Sequence, residues 1–493
     1  MSKNHNTFIT FVLAASIPFG VITVFFLIKS LIHVGLQYTL DVDELFHINA
    51  TYQMYIGKLP YRDFLFPYTP FAQWALAPFF VLSDPTASIA SARLIAVTAF
   101  LLRMGITGAI AMWILGIPFG ILATVGILVD PFTAFSGTQF RPDTFAVLFQ
   151  SLSLLSFLAL RKYRSGFFAV MTGVCITLSV FYSLKLLPFA AGLFIAMLFT
   201  EKKLISKYGH VVFLSVVLTL AVIVAPFFLS GTINQMLRSV FVDAKVINDT
   251  LLYPLHILNF YWPNNWFLYG LSVKAPVWYW ELSIPILSVG AIILLFLGTP
   301  EESERNSLFA VGIAAILQAG SLLFIRSVFI QYYLPSNWLL IILAAWLMKK
   351  VWQKISSMYV NFAALFFLLL MLILADLTNN AVHNYTDRAQ TTYRIQLADF
   401  SKNWKYIPLD APVFPGYFFR PNSSYIGYGW NIGDLPKSFQ AILNGELTQN
   451  ASAAFKYIYL SDEQKKYLSA ASLQVIENSY YQSVLDPLLL IKK

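Results

Sequence analysis

The chain has 493 residues, of which 58% are hydrophobic and 12% charged, and its mean hydropathy is +0.67. A soluble globular core does not need that much apolar surface, so the composition is that of a polytopic α-helical membrane protein. A net charge of +9 scattered over short loops excludes a nucleic-acid-binding face. The single cysteine, Cys175, lies in an apolar run and excludes an internal disulfide or a thiolate metal cluster.

Lys3 precedes an apolar run over 8–34, which is too long for a signal-peptide core and reads as an uncleaved first span. An acidic cluster, Asp41-Val42-Asp43-Glu44, follows directly. Leu45, Ile48, Tyr52 and Ile56 then recur at helical spacing, with Asp43 placed as N-cap, Gly57 just past the end and Pro60 as the stop. That stripe predicts a short helix lying flat on the membrane surface. Further apolar runs fall at 69–83, 91–114, 116–136, 143–160, 166–184, 186–200, 210–230, 281–298, 307–326, 333–348 and 358–378. Together they predict about 11 transmembrane helices.

Three basic clusters, Arg161-Lys162-Tyr163-Arg164, Lys202/Lys203/Lys207 and Lys349-Lys350 with Lys354, agree with one another as cytoplasmic loops. The same rule puts 35–68, the turn near Lys185, the loop 231–280, the turn 327–334 and everything after 379 on the outer side. Three runs between 69 and 136 give the wrong parity, so one of them is expected to be re-entrant or half-inserted. Arg103, inside the 91–114 run, points to a misplaced boundary there. The loop 231–280 opens with Ile233, Leu237, Val240 and Ala244 at helical spacing, then turns aromatic through Tyr261-Trp262, Trp266 and Trp278-Tyr279-Trp280. Residues 379–493 are polar, with β-prone pieces at 412–414, 455–460 and 488–491, and a capping-box pattern at 461–464 predicts a helix to Ala470. The expected organisation is a multi-span domain over 1–378 and a small extracytoplasmic α/β domain over 379–493.

Carboxylates gathered at a membrane surface are costly to keep there, so they lead the search for chemistry. On the outer face Asp43 and Glu44 can deprotonate an acceptor hydroxyl, or ligate a divalent cation that steadies a phosphate leaving group. The competing reading is structural: Asp43 caps the helix and Glu44 complements its dipole. Asp41 reads as solvated. His47, one turn after Glu44, either shares a metal with it or is an exposed interfacial imidazole, the latter being the expectation. Arg62 and Asp63 form either an electrostatic clamp at a site mouth or a local ion pair at the turn. In Arg141-Pro142-Asp143, Asp143 is either a second acid converging on the first, with Arg141 on phosphate, or an ordinary helix start. Lys185 stands alone between two apolar runs, where a lysine costs ~2.5–3.5 kcal/mol at midplane and less at an interface. An outer-leaflet phosphate accounts for it, as does snorkelling. Arg326, Tyr332 and Tyr333 suit a phosphate or sugar, or an interfacial belt. ATPase, serine hydrolase and zincin patterns are missing.

Asp43-Glu44, Gly57-Lys58-Leu59-Pro60-Tyr61-Arg62-Asp63, Arg141-Pro142-Asp143, the lone Lys185 and Gln331-Tyr332-Tyr333-Leu334-Pro335, in that order, resemble the C-type glycosyltransferases of the protein O-mannosyltransferase and lipid A aminoarabinose transferase group. These are integral membrane enzymes that use polyprenyl-phosphate sugars. The resemblance covers most of the chain, including the plan of many spans followed by an outer α/β tail. It implies the GT-C fold, a plasma (bacterial inner) membrane location, an extracytoplasmic active site, a polyprenyl-phosphate-linked sugar donor and a lipid, glycan or protein acceptor. Matched by position, it implies Asp43 as catalytic base and Lys185 as ligand of the lipid phosphate, with Asp143 and Arg141 in support. Asp41 is extra to the family's Asp-Glu pair. The chain shows no clear metal ligand set, and a divalent cation stays open.

The implied reaction is a single inverting displacement. The acceptor attacks the anomeric carbon, and the polyprenyl phosphate leaves with its charge held by Lys185 and arginines such as Arg141. A lipid-linked saccharide transporter or flippase would instead want a polar path through the bundle and internal pseudo-repeats. The acids are massed on one side, and no repeat is visible. A polysaccharide polymerase shares the substrate class but not the first-loop pattern.

Overall fold

The computed structural model describes residues 3–37, 42–55, 57–62, 66, 68–79, 85–130, 133, 137–243, 276–297, 302–325, 330–358, 413–414, 457–459, 465–466, 468–482 and 489–493. Long apolar runs become helices: α1 (Lys3–Gln37), α2 (Val42–Tyr55), α3 (Phe71–Leu76), α4 (Pro85–Leu115), α5 (Ile117–Val129), α6 (Pro142–Tyr163), α7 (Gly166–Tyr182), α8 (Leu187–Thr200), α9 (Lys202–Leu229), α10 (Ile233–Leu237), α11 (Pro276–Leu297), α12 (Glu302–Ser321), α13 (Leu334–Met358) and α14 (Ala470–Ser479). Among the described residues, 5 helices are long and apolar enough to cross a membrane, within α4, α6, α9, α12 and α13. Shorter apolar helices lie within α1, α5, α7, α8 and α11. The protein is integral to a membrane.

Of the three runs between 69 and 136, the first forms, among the described residues, α3 and a 3-10 turn at Ala77–Phe79. That is too short to cross ~30 Å of hydrocarbon. The second run is one unbroken helix, α4, and Arg103 sits inside it at 2% exposure. The boundary expected to be misplaced is therefore sound, because a helix can carry a charge through if the side chain faces protein. The run 358–378 lies outside the described residues.

The chain divides into two compact units. The first comprises Met1–Gln37, Ala96–Val222 and Leu255–Ala389. In it α6 packs along α7, α8 along α12, α11 along α13 and α1 along α5. Phe157, Leu193, Ala314, Trp338, Leu343 and Trp346 belong to one apolar core. Small residues set the closest approach. A Cβ at Gly192 of α8 would stand 2.7 Å from the Ala314 Cα of α12, so only glycine lets these backbones meet.

The helices of this unit have chemically different ends. Arg161 near the end of α6 donates from Nε to Glu201 (2.7 Å) and from Nη1 to Ser307 (2.8 Å). One turn before Ser307, Glu304 takes Lys349 at 2.6 Å and Lys350 at 3.2 Å. The basic clusters at 161–164 and 349–350, with the start of α9, are thus tied to the same stretch of α12. The opposite ends of these helices carry Asp143, Ser183, Lys185, Gln318 and Tyr332. The 22 residues of α6 put about 33 Å between the two ends, a full membrane thickness.

The second unit comprises Tyr38–Ile95, Ile223–Pro254 and Gln390–Lys493. These are largely segments that the charge rule places outside. In α2, Gly57 follows the helix with φ +87 and donates its N–H to Met54 O at 3.0 Å, the left-handed stop that glycine adopts without strain. Asp43, expected as the N-cap, is instead the second residue of α2, in its first turn. Glu44, His47, Ile48, Ala50, Thr51 and Met54 of this helix are buried in protein, while the Leu45, Tyr52 and Ile56 side chains of the expected stripe lie outside the described residues. Phe227 stacks on Trp74, with ring centroids 4.8 Å apart, and meets Tyr61 edge-on at 5.6 Å.

Four strands form one sheet in the order β1-β2-β4-β3. β1 (Val413–Phe414) runs parallel to β2 (Tyr457–Tyr459). β4 (Leu489–Lys492) is antiparallel to β2 and to β3 (Tyr480–Gln482), with Ile458 opposite Leu490 and Tyr481 opposite Ile491. The three β-prone pieces become β1, β2 and β4. β3 went unseen because three residues are too few to show alternation. Residues 461–464 lie outside the described residues. The described helix, α14, starts later, where Ser469 Oγ accepts the Ser472 N–H at 3.2 Å.

Candidate active site

Pro142 opens α6 in the first turn, where its missing N–H is not needed, and Arg141 before it is extended, with φ −135 and ψ 151. That start points Asp143 into the positive end of the helix. α7 stops at Tyr182, Ser183 is extended, and a 3-10 turn over Leu184–Leu186 carries Lys185 before α8 begins. The two helix ends meet. Ser183 Oγ donates to Asp143 Oδ1 at 2.9 Å, and Lys185 Nζ lies 3.3 Å from both carboxylate oxygens. The Tyr332 ring covers the ammonium, with its centroid 3.9 Å from Nζ. Asp143 is nearly buried, whereas the Lys185 side chain keeps 27% of its surface exposed. The result is an ammonium held by a carboxylate and a ring face, on a side chain that stays partly exposed.

The structure thus brings together Asp143, Lys185 and Tyr332 from the predicted set. Arg141, two residues from Asp143, is buried at 5% exposure. Tyr333 is wholly buried, and its carbonyl accepts the N–H groups of Ser336 and Asn337 to start α13. Sequence reasoning missed the group that fixes this corner. Gln150 of α6 donates to Pro335 O at 2.9 Å and accepts from Trp338 Nε1 at 3.1 Å. A lone amide inside an apolar run is the available signal, since a polar group at that depth needs a partner.

In the second unit, Glu44 is fully buried and forms a two-pronged pair with Arg93 of α4: Nε to Oε1 at 3.1 Å and Nη2 to Oε2 at 2.7 Å. His47 is not exposed as expected. It is 5% exposed, its Nδ1 lies 2.9 Å from Gln73 Nε2, and its ring meets Tyr68 edge-on at 5.3 Å. Arg62 is exposed in the turn after Pro60. The side chain of Asp43, and the whole of Asp41, Asp63 and Arg326, lie outside the described residues. In the first unit, Asp130 accepts from Asn337 Nδ2 at 3.0 Å and from the Thr133 N–H at 2.9 Å, and it interacts electrostatically with the buried Arg103. Among the described residues no group of three or more His, Cys, Asp or Glu side chains is placed to hold a metal ion.

The chain matches no family model and no curated protein sequence. Its fold does match solved structures. ArnT from Cupriavidus metallidurans bound to undecaprenyl phosphate superposes with a TM-score of 0.60 at 13% identity, covering 96% of this chain and 97% of that one. The same protein in the apo state gives 0.55 at 14% identity, over 97% and 98% of the two chains. The apo oligosaccharyltransferase of Archaeoglobus fulgidus gives 0.53 at 13% identity, over 96% of this chain and 74% of that one. The chain has the fold of the C-type (GT-C) membrane glycosyltransferases.

Proposed function

We propose that the protein is an inverting glycosyltransferase that moves a sugar from a polyprenyl-phosphate donor to a lipid, glycan or protein acceptor on the outer face of the membrane. The observation that carries this reading is Lys185, a partly exposed cation at the helix ends remote from the basic loops, paired with Asp143 and covered by Tyr332. A full positive charge with an open side, at the border of a long apolar helix bundle, suits an anionic headgroup on an isoprenoid tail. ArnT, which shares the fold, was solved bound to undecaprenyl phosphate.

In the reaction, Lys185 holds the phosphate and stabilises the charge it gains as the glycosidic bond breaks. Arg141 adds a second positive charge near the same helix start. Asp143 keeps the lysine oriented and is itself held by Ser183. Asp43 takes the proton from the acceptor as it attacks the anomeric carbon. Glu44, with both oxygens on Arg93, holds the first turn of α2 in place. The energy is stored in the lipid-phosphate sugar, so no nucleotide is needed. The test is to give the purified protein undecaprenyl-phosphate sugars and measure released undecaprenyl phosphate. Release that disappears in Asp43→Asn with folding intact supports the reading. A protein that moves the lipid across a bilayer without releasing its sugar refutes it.

A further inference from the structure

Gln318 is a second lone amide inside an apolar run, 1% exposed on α12. Its two ends are both used. Nε2 donates to the carbonyl of Lys185 at 2.9 Å, and Oε1 accepts the N–H of Phe189 at 3.2 Å. Phe189 is the third residue of α8. Its N–H is one of the four that a helix start leaves unpaired, and the preceding Pro188 has none to offer. Neither Leu186 nor Leu187 can cap the helix with a side chain, so the cap comes from another helix. The Gly192–Ala314 contact makes this geometry available. It presses α8 against α12, and four residues further along α12 the amide reaches the beginning of α8.

We infer that Gln318 is the positioning residue of Lys185. It clamps the 3-10 turn at the lysine carbonyl and the following helix at Phe189, so that the ammonium points at Asp143 and Tyr332. This inference rests on the reading of Lys185 as phosphate ligand. A misplacement of about 1 Å at a binding group is enough for a large loss.

Two measurements on the full-length protein in detergent separate the possibilities. The first needs no ligand: the rate at which an amine-reactive reagent acylates Lys185, read by mass spectrometry. Gln318→Leu should raise it several-fold, and an unchanged rate overturns the positioning role. The second is the apparent Kd for undecaprenyl phosphate alone. Gln318→Leu should weaken binding about tenfold, Lys185→Ala should weaken it at least as much, and the double variant should be no weaker than Lys185→Ala. Additive losses would place the action of Gln318 elsewhere and overturn the inference. Unchanged binding by Lys185→Ala would instead refute the phosphate role of the lysine and bring the binding half of the inference down with it. If Gln318→Leu fails to fold, Gln318→Glu serves. Its labelling is followed across a pH series. At pH well above the titration of its carboxyl, it accepts from Phe189 and no longer donates to Lys185, whereas the protonated form donates as the amide does. Labelling of that variant that rises above wild type as the carboxyl ionises supports the clamp, and labelling that follows wild type across the whole pH series overturns it.

Discussion

Glu44 and Arg93 form a buried pair whose removal tests whether the acid acts through the fold of α2. Both side chains are 1% exposed, and two hydrogen bonds of 3.1 and 2.7 Å join them. Charge-assisted hydrogen bonds contribute roughly 1.5–3 kcal/mol each. Removing one partner of such a pair leaves the other charge buried, which costs about 3–5 kcal/mol. Glu44→Leu alone and Arg93→Met alone should therefore each lower the apparent Tm of the purified protein clearly and reduce its yield. The double variant removes both charges at once, and apolar replacements of similar volume are often neutral. It should recover most of the lost stability, which a double-mutant cycle on thermal unfolding reads as a coupling of about 3 kcal/mol. Turnover of a polyprenyl-phosphate sugar should return with the fold. A double variant that unfolds like wild type but turns over nothing would refute the reasoning, because Glu44 would then act in the chemistry and not through α2.

Four further outcomes follow from the same geometry. Lys185→Ala should weaken undecaprenyl phosphate binding about tenfold or more, and Lys185→Arg should restore part of it, since the charge returns with a different reach. Ser183→Ala removes one hydrogen bond from Asp143 and should lower stability by about 1 kcal/mol in thermal unfolding, with a smaller effect on Kd than Lys185→Ala. Gly192→Leu forces α8 away from Ala314 and should destabilise the protein by about 1–3 kcal/mol, while the same change at Gly166, where an added Cβ meets nothing within 4 Å, should be milder. Asp43→Asn should abolish sugar transfer and leave undecaprenyl phosphate binding within about twofold of wild type, because a proton acceptor contributes to the transition state and not to holding the lipid. A Kd that collapses in Asp43→Asn would remove that assignment.

Much of the helical plan was legible because hydrocarbon thickness and the helical rise fix how long an apolar run must be. Runs at 143–160, 166–184 and 186–200 became α6, α7 and α8 within a few residues. The basic clusters were legible for the same reason: charge bias is a local property of loops, and Arg161, Lys349 and Lys350 do meet around α12. Lys185 and Asp143 could each be singled out as charges at the edge of apolar segments. Their distance of 3.3 Å could not, because 42 residues separate them and only the packing of α6 on α7 closes the gap. The sequence also misjudged Arg103 and His47, and it left Glu44 open between a catalytic and a structural reading. An ionisable residue in an apolar or amphipathic stretch reads as exposed or misplaced until its partner is known, and those partners, such as Gln73 and Arg93, come from other elements.

Composition and periodicity alone therefore determined that this chain lives in a bilayer, and which of its segments are helical. Tertiary structure alone decided which charges have partners. Membrane insertion depends on sums over neighbouring residues, whereas an ion pair or a trans helix cap, such as Gln318 on Phe189, depends on atoms brought within about 3 Å from distant parts of the chain.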